Sequence, residues 1–368
     1  MVTKAKAISN NYALRQVRKR REGKLVPRDV HLETTYHCNL KCYHCYLEPC
    51  LNKPQSGELS TNEMTRILRQ LFETGVFYVT FSGGEPFCRP DIFKIMNYAR
   101  EQGLFFGLKT NGTLITESVA DRLKELNTVS VDISIYGAKP QTHETVTGVA
   151  GSFNKSIQAI RFLRERKIRV GVRTTIMKCN VEEHGEIENL AKQLGASFYP
   201  DPMIFPKVGR QPDSAADVRI DDDQLRTLIK MRNWASGEAV VTTANDLKRH
   251  LICGAGRSMC AISPQGEVFP CTLWRIPLGN LRKQTFKKIW HGEAASRIRA
   301  IQVNGESVCA SCEVGSYCAR CLAMVYIESG GISGPSSENC RLAYAIKGVR
   351  DEREQETLCK PHYRIRKG

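Results

Sequence analysis

The alternation of strand and helix patterns between Asp29 and residue 205 constrains the fold of this chain more than any other feature. Six short apolar or β-branched runs, most of them closed by Gly, Asn or Pro, predict β-strands, and segments with helical periodicity lie between them. The predicted strands lie at 30–36, 76–83, 104–111, 128–135, 168–176 and 196–203. Sequential βα units build a parallel sheet or an open barrel. Ligands of such folds bind at the carboxyl ends of the strands, so we expect functional residues there.

The net charge and the number of cysteines limit the classes of function that this chain can have. Lys and Arg number 54 against 38 Asp and Glu, a net charge of +16, and 15 residues are Cys. In a reducing compartment that many thiols predict metal or iron–sulfur ligation rather than disulfides. The positive charge is compatible with an acidic partner or with a generic basic surface. Apolar residues at 41% and charged residues at 25% exclude a disordered or fibrous chain.

The predicted organisation has five parts. From Cys253 the density of Cys rises and loops replace the βα rhythm, which predicts a second domain. The parts are a basic arm at 1–28, an α/β core at 29–205, a closing helix and linker at 206–252, a Cys-rich domain at 253–345 and a charged tail at 346–368. The chain has neither an apolar run of the ~18 residues that a membrane span needs nor a secretory signal, so we expect a cytoplasmic protein.

Local signals support these boundaries. The basic arm carries nine Lys or Arg and, among acidic residues, only Glu22, which is typical either of a solvated arm or of one that docks an acidic partner. Ser60 and Glu63 form a capping-box pattern that predicts the start of a helix. Further helices are predicted at 116–126, 153–166, 182–194 and 221–235.

A CxxxCxxC motif, formed by Cys38, Cys42 and Cys45, follows the first predicted strand. Three thiolates on a four-iron cluster leave one iron open to bind a substrate or cofactor. A structural zinc ion normally takes four ligands, so a zinc loop or a chance match is the alternative for this motif alone. The second strand ends in Ser82-Gly83-Gly84-Glu85-Pro86, where glycines allow close backbone approach to a ligand and Glu85 can accept a hydrogen bond from an ammonium group.

Together, at the ends of adjacent strands, these motifs resemble the radical S-adenosylmethionine (SAM) superfamily over residues 29–205. The resemblance implies a partial (β/α)6 barrel in which the three cysteines hold a [4Fe–4S] cluster and its open iron chelates SAM. It assigns no side chain a catalytic role. It does, however, imply a set of residues that contact SAM. They are Gly83, Gly84 and Glu85 at the methionyl amine, Ser134 at the ribose, Arg173 at the carboxylate and His44 beside the adenine.

The implied chemistry belongs to the cofactors. A reduced cluster passes one electron to the sulfonium, a C–S bond breaks, and the 5′-deoxyadenosyl radical abstracts hydrogen from the substrate. The protein orients the substrate and excludes water. An external electron donor such as flavodoxin or ferredoxin is therefore expected, whereas neither a membrane nor a nucleic acid is an expected partner.

The C-terminal cysteines form a second pattern. The middle four, Cys309, Cys312, Cys318 and Cys321, could form a zinc knuckle. The run from Cys253 to Cys271 instead resembles the SPASM extension of radical SAM enzymes, which implies two auxiliary [4Fe–4S] clusters and three clusters in all. Cluster I would use Cys253, Cys260, Cys271 and Cys321, and cluster II would use Cys309, Cys312, Cys318 and Cys340. Two residues, rather than the commoner three, separate Cys318 from Cys321.

Four cysteines are left over and are predicted to be buried structural thiols, with Cys50 and Cys88 close in sequence to the SAM motifs. They are Cys50, Cys88, Cys179 and Cys359.

The SPASM resemblance implies a substrate class. Most such enzymes modify ribosomally made peptides, so oxidative modification or crosslinking of a precursor peptide is expected. The alternatives are a tetrapyrrole side-chain enzyme of an alternative haem or haem d1 pathway, and a non-catalytic iron–sulfur or zinc protein. Thr272 stands where anaerobic sulfatase maturases carry Asp, which disfavours that activity. Only the basic arm precedes the first strand, so leader recognition is expected to need that arm or a separate small protein.

Overall fold

The structure is a computed structural model that describes residues 25–52, 57–209, 212–232, 253–301 and 308–358. The predicted basic arm up to residue 24, most of the predicted linker and Cys359 lie outside the described residues. The described strands form one sheet in the order β6-β5-β4-β3-β2-β1-β7-β8-β9. They are β1 (Asp29–Glu33), β2 (Tyr78–Ser82), β3 (Phe105–Thr110), β4 (Ser130–Ser134), β5 (Val170–Thr175), β6 (Ser197–Asp201), β7 (Met259–Ile262), β8 (Glu267–Phe269) and β9 (Gly279–Asn280).

All six predicted strands are confirmed, and β1 to β6 pair in parallel with their sequence neighbours. The sheet is not closed, which confirms a partial barrel. Because side chains alternate across a strand, Val30 and Leu32 are fully buried on one face, whereas Asp29 and His31 lie on the opposite face. The inner face of the barrel is therefore polar, and we call the space that it encloses the lumen.

The described α-helices cover the other face of the sheet or build the C-terminal region. They are α1 (Thr61–Thr74), α2 (Ile92–Glu101), α3 (Glu117–Glu125), α4 (Pro140–Thr147), α5 (Ser152–Glu165), α6 (His184–Gln193), α7 (Asp222–Arg232), α8 (Phe286–Trp290), α9 (Glu293–Ala300), α10 (Leu322–Ser329) and α11 (Ser337–Leu358). The capping box at α1 is confirmed, since the Ser60 hydroxyl accepts from Glu63 N while Glu63 accepts from Ser60 N at 2.8 Å. Helix α4 was not expected from the sequence.

Two predicted boundaries differ from the structure. Strand β7 pairs in parallel with β1, with Cys260 opposite Val30, so residues beyond the predicted boundary at 253 extend the core sheet. The chain accordingly divides into one compact unit up to Val218 with Gly254–Ala300, and a second of Arg219–Cys253 with the residues from Ile301 onward. Helix α11 also runs through the predicted limit at 345, so the predicted charged tail begins inside a helix.

No helix in the described parts of the chain is both long and apolar enough to cross a membrane.

Candidate functional site

The loop that follows β1 carries Cys38, Cys42 and Cys45, which are all partly buried. The backbone N–H groups of Lys41 and Tyr43 donate to carbonyl groups at the end of α4, at 2.8 and 3.3 Å. These hydrogen bonds fix the middle of the loop against a helix that belongs to the same barrel. The short helix α4, which sequence reasoning missed, therefore positions the three cysteines.

Cys38 is held separately by the side chain of Asn52. Its backbone N–H donates to Asn52 Oδ1 at 2.9 Å, and Asn52 Nδ2 donates to the carbonyl oxygen of Cys38 at 2.8 Å. Asn52 has a φ of 52°, in the left-handed region where Asn is among the favoured non-glycine residues. The two reciprocal hydrogen bonds fix the backbone of the first cysteine independently of the rest of the loop.

The three thiols influence one another electrostatically. Burial raises the pKa of Cys38 to about 12, and the charges of Cys45 and Cys88 contribute to the rise. Burial also raises the pKa of Cys42, with contributions from Cys45 and Cys38. A metal cluster supplies the positive charge that stabilises buried thiolates, and soft thiolate ligands are those that iron–sulfur clusters take. The donor set of this loop therefore fits an iron–sulfur cluster.

The glycines after β2 pack directly on the segment that leads to Cys38. A Cβ on Gly83, whose φ is 129°, would lie 2.4 Å from the carbonyl oxygen of Thr35, and one on Gly84 would lie 2.4 Å from that of His37. The N–H groups of Gly84 and Glu85 donate to these same two oxygens, each at 2.8 Å. The absence of side chains thus allows the two loops to lie together at the carboxyl ends of β1 and β2.

The side chain of Glu85 connects two neighbouring loops of the site. Its side chain is fully buried and accepts hydrogen bonds from Thr110 Oγ1 at 2.7 Å, Asn111 N at 2.8 Å and Phe87 N at 3.2 Å. Burial raises its pKa to about 7, although these hydrogen bonds act in the opposite direction. The carboxylate joins the end of β2 to the end of β3, and its contact with the methionyl amine of SAM stays a prediction.

Sequence reasoning missed the polar residues that follow β3. Asn111 Nδ2 donates to Asn39 Oδ1 at 2.9 Å, and Asn39 Nδ2 donates to Thr113 Oγ1 at 2.8 Å. Asn39 lies inside the CxxxCxxC motif, so this network ties the cysteine loop to the end of β3. Polar residues directly after an apolar strand, in the run Lys109-Thr110-Asn111, were the signal that could have identified them.

Ser134 and Arg173 lie opposite each other at the paired ends of β4 and β5. Arg173 Nε and Nη2 both contact Asp132 Oδ2, at 2.9 and 2.8 Å, and its guanidinium lies 4.1 Å from the centre of the Tyr199 ring. The side chain therefore lies in the lumen, and its Nη1 makes no hydrogen bond to the residues that the structure describes.

His44 lies between the second and third cysteines, and the centres of the His44 and Tyr136 rings lie 4.7 Å apart in an edge-to-face arrangement. Burial lowers its pKa to about 4, so the imidazole is neutral near pH 7. Its Nδ1 is buried without a hydrogen-bond partner among the described residues. A neutral ring with an unpaired acceptor or donor fits the predicted place beside a nucleobase.

A buried ion pair, also missed in the sequence, lies next to the cysteine loop. Glu33 at the end of β1 is fully buried, and Arg275 contacts its two carboxylate oxygens at 2.6 and 2.8 Å. Tyr36 Oη donates to Glu33 at 3.1 Å and accepts from Arg275 at 3.1 Å. Arg275 follows Cys271 by four positions, so this pair links the first cysteine loop to a cysteine segment of the C-terminal pattern.

The leftover cysteines differ from the expected buried thiols. Cys179 is exposed, with its Sγ 2.9 Å from the hydroxyl of Tyr43. Cys50 and Cys88 are only partly buried, and the charge of Cys88 contributes to the raised pKa of Cys38. Cys88 therefore lies near the first cysteine, as its place in the sequence suggested.

In the second compact unit, four cysteines surround one cavity of about 50 Å³. They are Cys309, Cys312, Cys318 and Cys340, the set predicted for auxiliary cluster II. In the described parts of the chain, no three His, Cys, Asp or Glu side chains converge closely enough to hold a single metal ion. The four thiols thus line a cavity and do not converge on a single point. Thiolate ligands arranged in this way fit a cluster of several iron atoms better than one zinc ion.

The set predicted for auxiliary cluster I is divided between the two compact units. Cys260 is fully buried in β7, and Cys271 Sγ accepts from Trp274 N at 3.2 Å, both in the first unit. Cys253 and Cys321 belong to the second unit. Their joint role as ligands stays a prediction.

Two family models match the sequence. The model of the radical SAM superfamily matches residues 32–194, and that of SPASM, an iron–sulfur cluster-binding domain, matches residues 253–313.

Individual proteins are similar over most of the chain. An AdoMet-dependent heme synthase of Methanosarcina barkeri is 30% identical, over 83% of this chain and 93% of the relative. The mycofactocin maturase MftC of Mycobacterium tuberculosis is 32% identical, over 83% of this chain and 81% of the relative. Streptococcus suis SuiB bound to its precursor peptide SuiA has the same fold, with a TM-score of 0.67 at 17% identity over 90% of this chain and 80% of that chain.

The buried state of Glu85 predicts a pH dependence. Because burial raises its pKa from 4.5 to about 7, the folded protein holds a proton that the unfolded chain has lost between these values. The free energy of unfolding therefore falls by up to about 1.4 kcal/mol per pH unit as pH rises through this range. Glu85→Gln removes this contribution, so melting temperatures measured at pH 5 to 8 should show wild type losing stability relative to the variant. A difference that stays constant with pH would contradict the assignment.

The Glu33–Arg275 pair predicts a large effect of Arg275→Met. The substitution leaves a fully buried carboxylate without its partner, and we expect unfolding by urea to show a loss of about 3–5 kcal/mol. Arg297→Met is the control, since its pair with Glu293 is about three-quarters exposed and worth at most about 1 kcal/mol. Adding Glu33→Leu to Arg275→Met should recover part of the loss. Strictly additive effects of the two substitutions would refute the coupling.

Proposed function

Since the chain belongs to the radical SAM superfamily and carries a SPASM domain, we propose that it oxidatively modifies a ribosomally made precursor peptide. The similarity to the mycofactocin maturase over 83% of the chain carries this proposal. The shared fold with the peptide-bound SuiB is consistent with it.

The cysteine loop is the proposed SAM site. When bound there, a [4Fe–4S] cluster and SAM supply the electron transfer and the 5′-deoxyadenosyl radical that removes a hydrogen atom from the substrate. Cys38, Cys42 and Cys45 would hold the cluster, and the hydrogen bonds from Asn52 and α4 keep their loop in place. The surrounding strands exclude water from the reacting atoms.

The proposed SAM contacts differ in how much their surroundings support them. Ser134 lies at a strand end and His44 keeps an unpaired ring nitrogen, which suits the ribose and adenine roles. Arg173 is shared with Asp132, which leaves Nη1 for a carboxylate. Gly83, Gly84 and Glu85, at the carboxyl end of β2, would contact the methionyl amine.

The two sets of cysteines predicted to hold the auxiliary clusters are the reason to expect that the substrate is oxidised. If four cysteines ligate each auxiliary cluster, no iron is left to bind substrate, and the clusters act as electron acceptors. The substrate would then lose one hydrogen atom to the 5′-deoxyadenosyl radical, which becomes 5′-deoxyadenosine, and would further lose one electron, which an auxiliary cluster would accept, and one proton to solvent. A new bond or double bond in the peptide accounts for the two electrons removed.

Two protein partners follow from this chemistry. The electron that starts each turnover would come from a flavodoxin or ferredoxin. Leader recognition would fall to the basic arm, which lies outside the described residues, or to a separate leader-binding protein.

A tetrapyrrole substrate is the second candidate. The heme synthase of M. barkeri is 30% identical and is aligned over 93% of its length, which is the observation in its favour. Titration of the anaerobic holoenzyme with an iron porphyrin should shift the Soret band if this candidate is correct. Loss of two hydrogen atoms from a short peptide encoded beside the gene, measured by mass spectrometry, would instead support the peptide.

The first test is the cleavage of SAM. Replacement of Cys38, Cys42 or Cys45 by Ala should abolish production of 5′-deoxyadenosine under dithionite and lower the iron content from about twelve to about eight atoms per chain, because each [4Fe–4S] cluster holds four irons. Cys179→Ala, which changes an exposed thiol outside the predicted ligand sets, should retain both. Cleavage by the triple Ala variant, or zinc in place of iron in wild type, would reject the assignment and favour a non-catalytic protein.

The second test separates SAM cleavage from oxidation. Cys312→Ala and Cys340→Ala should still produce 5′-deoxyadenosine but lose the oxidised product, because each removes a ligand from the cavity that four thiols line. The comparison uses variants that stay soluble and keep the first cluster, because losing a cluster also destabilises its domain. Full product formation by such variants would exclude electron transfer through this cluster.

A further inference from the structure

A cavity of about 380 Å³ opens in the lumen. Side chains of β1 to β6 line it, among them residues that precede the strand ends by two to four positions. Its volume is within the range of sites that hold small organic ligands. Neither the proposed SAM contacts other than Arg173 nor any predicted cluster ligand lines this cavity.

Both acidic residues that line the cavity are already paired. Asp29 accepts from Thr80 Oγ1 at 3.0 Å and lies 3.4 Å from His31 Nε2. Asp132 is paired with Arg173 at 2.8 Å. With the histidine neutral, two carboxylates face four basic residues in the lining (Lys109, Arg164, Arg169 and Arg173), so the lining keeps a net positive charge.

Three basic residues that line the same cavity have no such partner. No carboxylate oxygen of the described residues lies within 4.0 Å of Lys109, Arg164 or Arg169, the distance at which an ion pair is counted. Arg164 and Arg169 each donate to a backbone carbonyl, at 3.0 and 3.1 Å, which fixes their guanidinium groups without neutralising them. The Nε of Arg164 is buried without a hydrogen-bond partner.

Lys109 makes neither an ion pair nor a hydrogen bond with the residues that the structure describes. It lies opposite Asp132 in the pairing of β3 with β4, but Asp132 is held by Arg173 instead. The Lys109 ammonium makes no hydrogen bond within the described parts of the chain. Desolvation and the charge of Arg173 lower its pKa, although Asp132, Asp29 and Asp201 act in the opposite direction, and the residue itself is exposed to solvent. A charged group with three unused donors thus faces a polar cavity of ligand size.

We propose that this cavity binds a small organic anion with at least two negative charges, carried by carboxylate or phosphate groups. Lys109, Arg164 and Arg169 would neutralise it, and guanidinium and ammonium groups are the side chains that recognise such oxyanions. The three unpaired positive charges exclude a metal cation as occupant, and the polar lining disfavours an apolar ligand. The proposal is independent of the proposed SAM chemistry, because it concerns binding alone.

The test is calorimetric titration of the anaerobic holoenzyme with succinate and with glycerol 3-phosphate, at an ionic strength held constant with chloride. We expect saturable binding of one molecule per chain by one of the two probes, which identifies the charged group. Lys109→Gln should weaken this binding at least about tenfold, because hydrogen bonds to charged groups contribute about 1.5–3 kcal/mol. Lys109→Arg, which keeps the charge, should bind within a few-fold of wild type.

Lys124→Gln on the exposed face of α3 is the matched control and should bind like wild type. Melting temperature and iron content without ligand show whether each variant is folded. The proposal is overturned if neither probe binds saturably to wild type, or if Lys109→Gln binds as tightly as wild type. It is also overturned if Lys124→Gln weakens binding as much as Lys109→Gln, since general surface charge would then explain the effect. Loss of SAM cleavage has no part in these outcomes, so a failure here is distinguishable from a failure of the proposed function.

Discussion

A buried carboxylate at the end of β1 sets the arrangement of the site. Glu33 is fully enclosed, and an unpaired charge there would cost several kcal/mol, so the chain has to bring a cation to it. Arg275 meets that requirement from a segment 242 positions further along, next to Cys271. Such a pair contributes little net stability compared with apolar residues, but it accepts only one geometry. The path of the chain into the cysteine loop and the position of the segment after Cys271 are therefore fixed by the same contact.

The loops at the carboxyl ends of β1, β2 and β3 form one hydrogen-bonded unit around the cysteine motif. The two glycines after β2 touch the backbone that leads to Cys38, and the enclosed carboxylate of Glu85 binds the end of β3. Asn111 and Asn39 complete the connection back to the cysteine loop. In this structure the motif after β2 joins neighbouring loops through the side-chain carboxylate of Glu85 and through the backbone N–H groups of Gly84 and Glu85.

The features that could be predicted from the sequence are those that depend on residues adjacent to one another in the chain. The six strands followed from apolar runs bounded by turn residues, and the start of α1 followed from a capping box. The pairing of Glu33 with Arg275, and of β1 with β7, could not be predicted because nothing near either partner specifies the other. Helix α4 was missed because three of its eight residues are Thr, which has a low helix propensity. The complete burial of Glu85 could not be predicted because burial depends on the whole fold.

The place of β1 in the sheet also has a consequence for synthesis of the protein. Asp29 pairs with Met259, so one edge of β1 stays unpaired until most of the chain has left the ribosome. Pairings between residues so distant in sequence form slowly, and unpaired strand edges are where chains associate wrongly. The same edge adjoins the loop with the first three cysteines. A nascent chain thus presents its metal-binding thiols beside an unprotected strand, and early assembly of the cluster would order that loop before its final neighbour arrives.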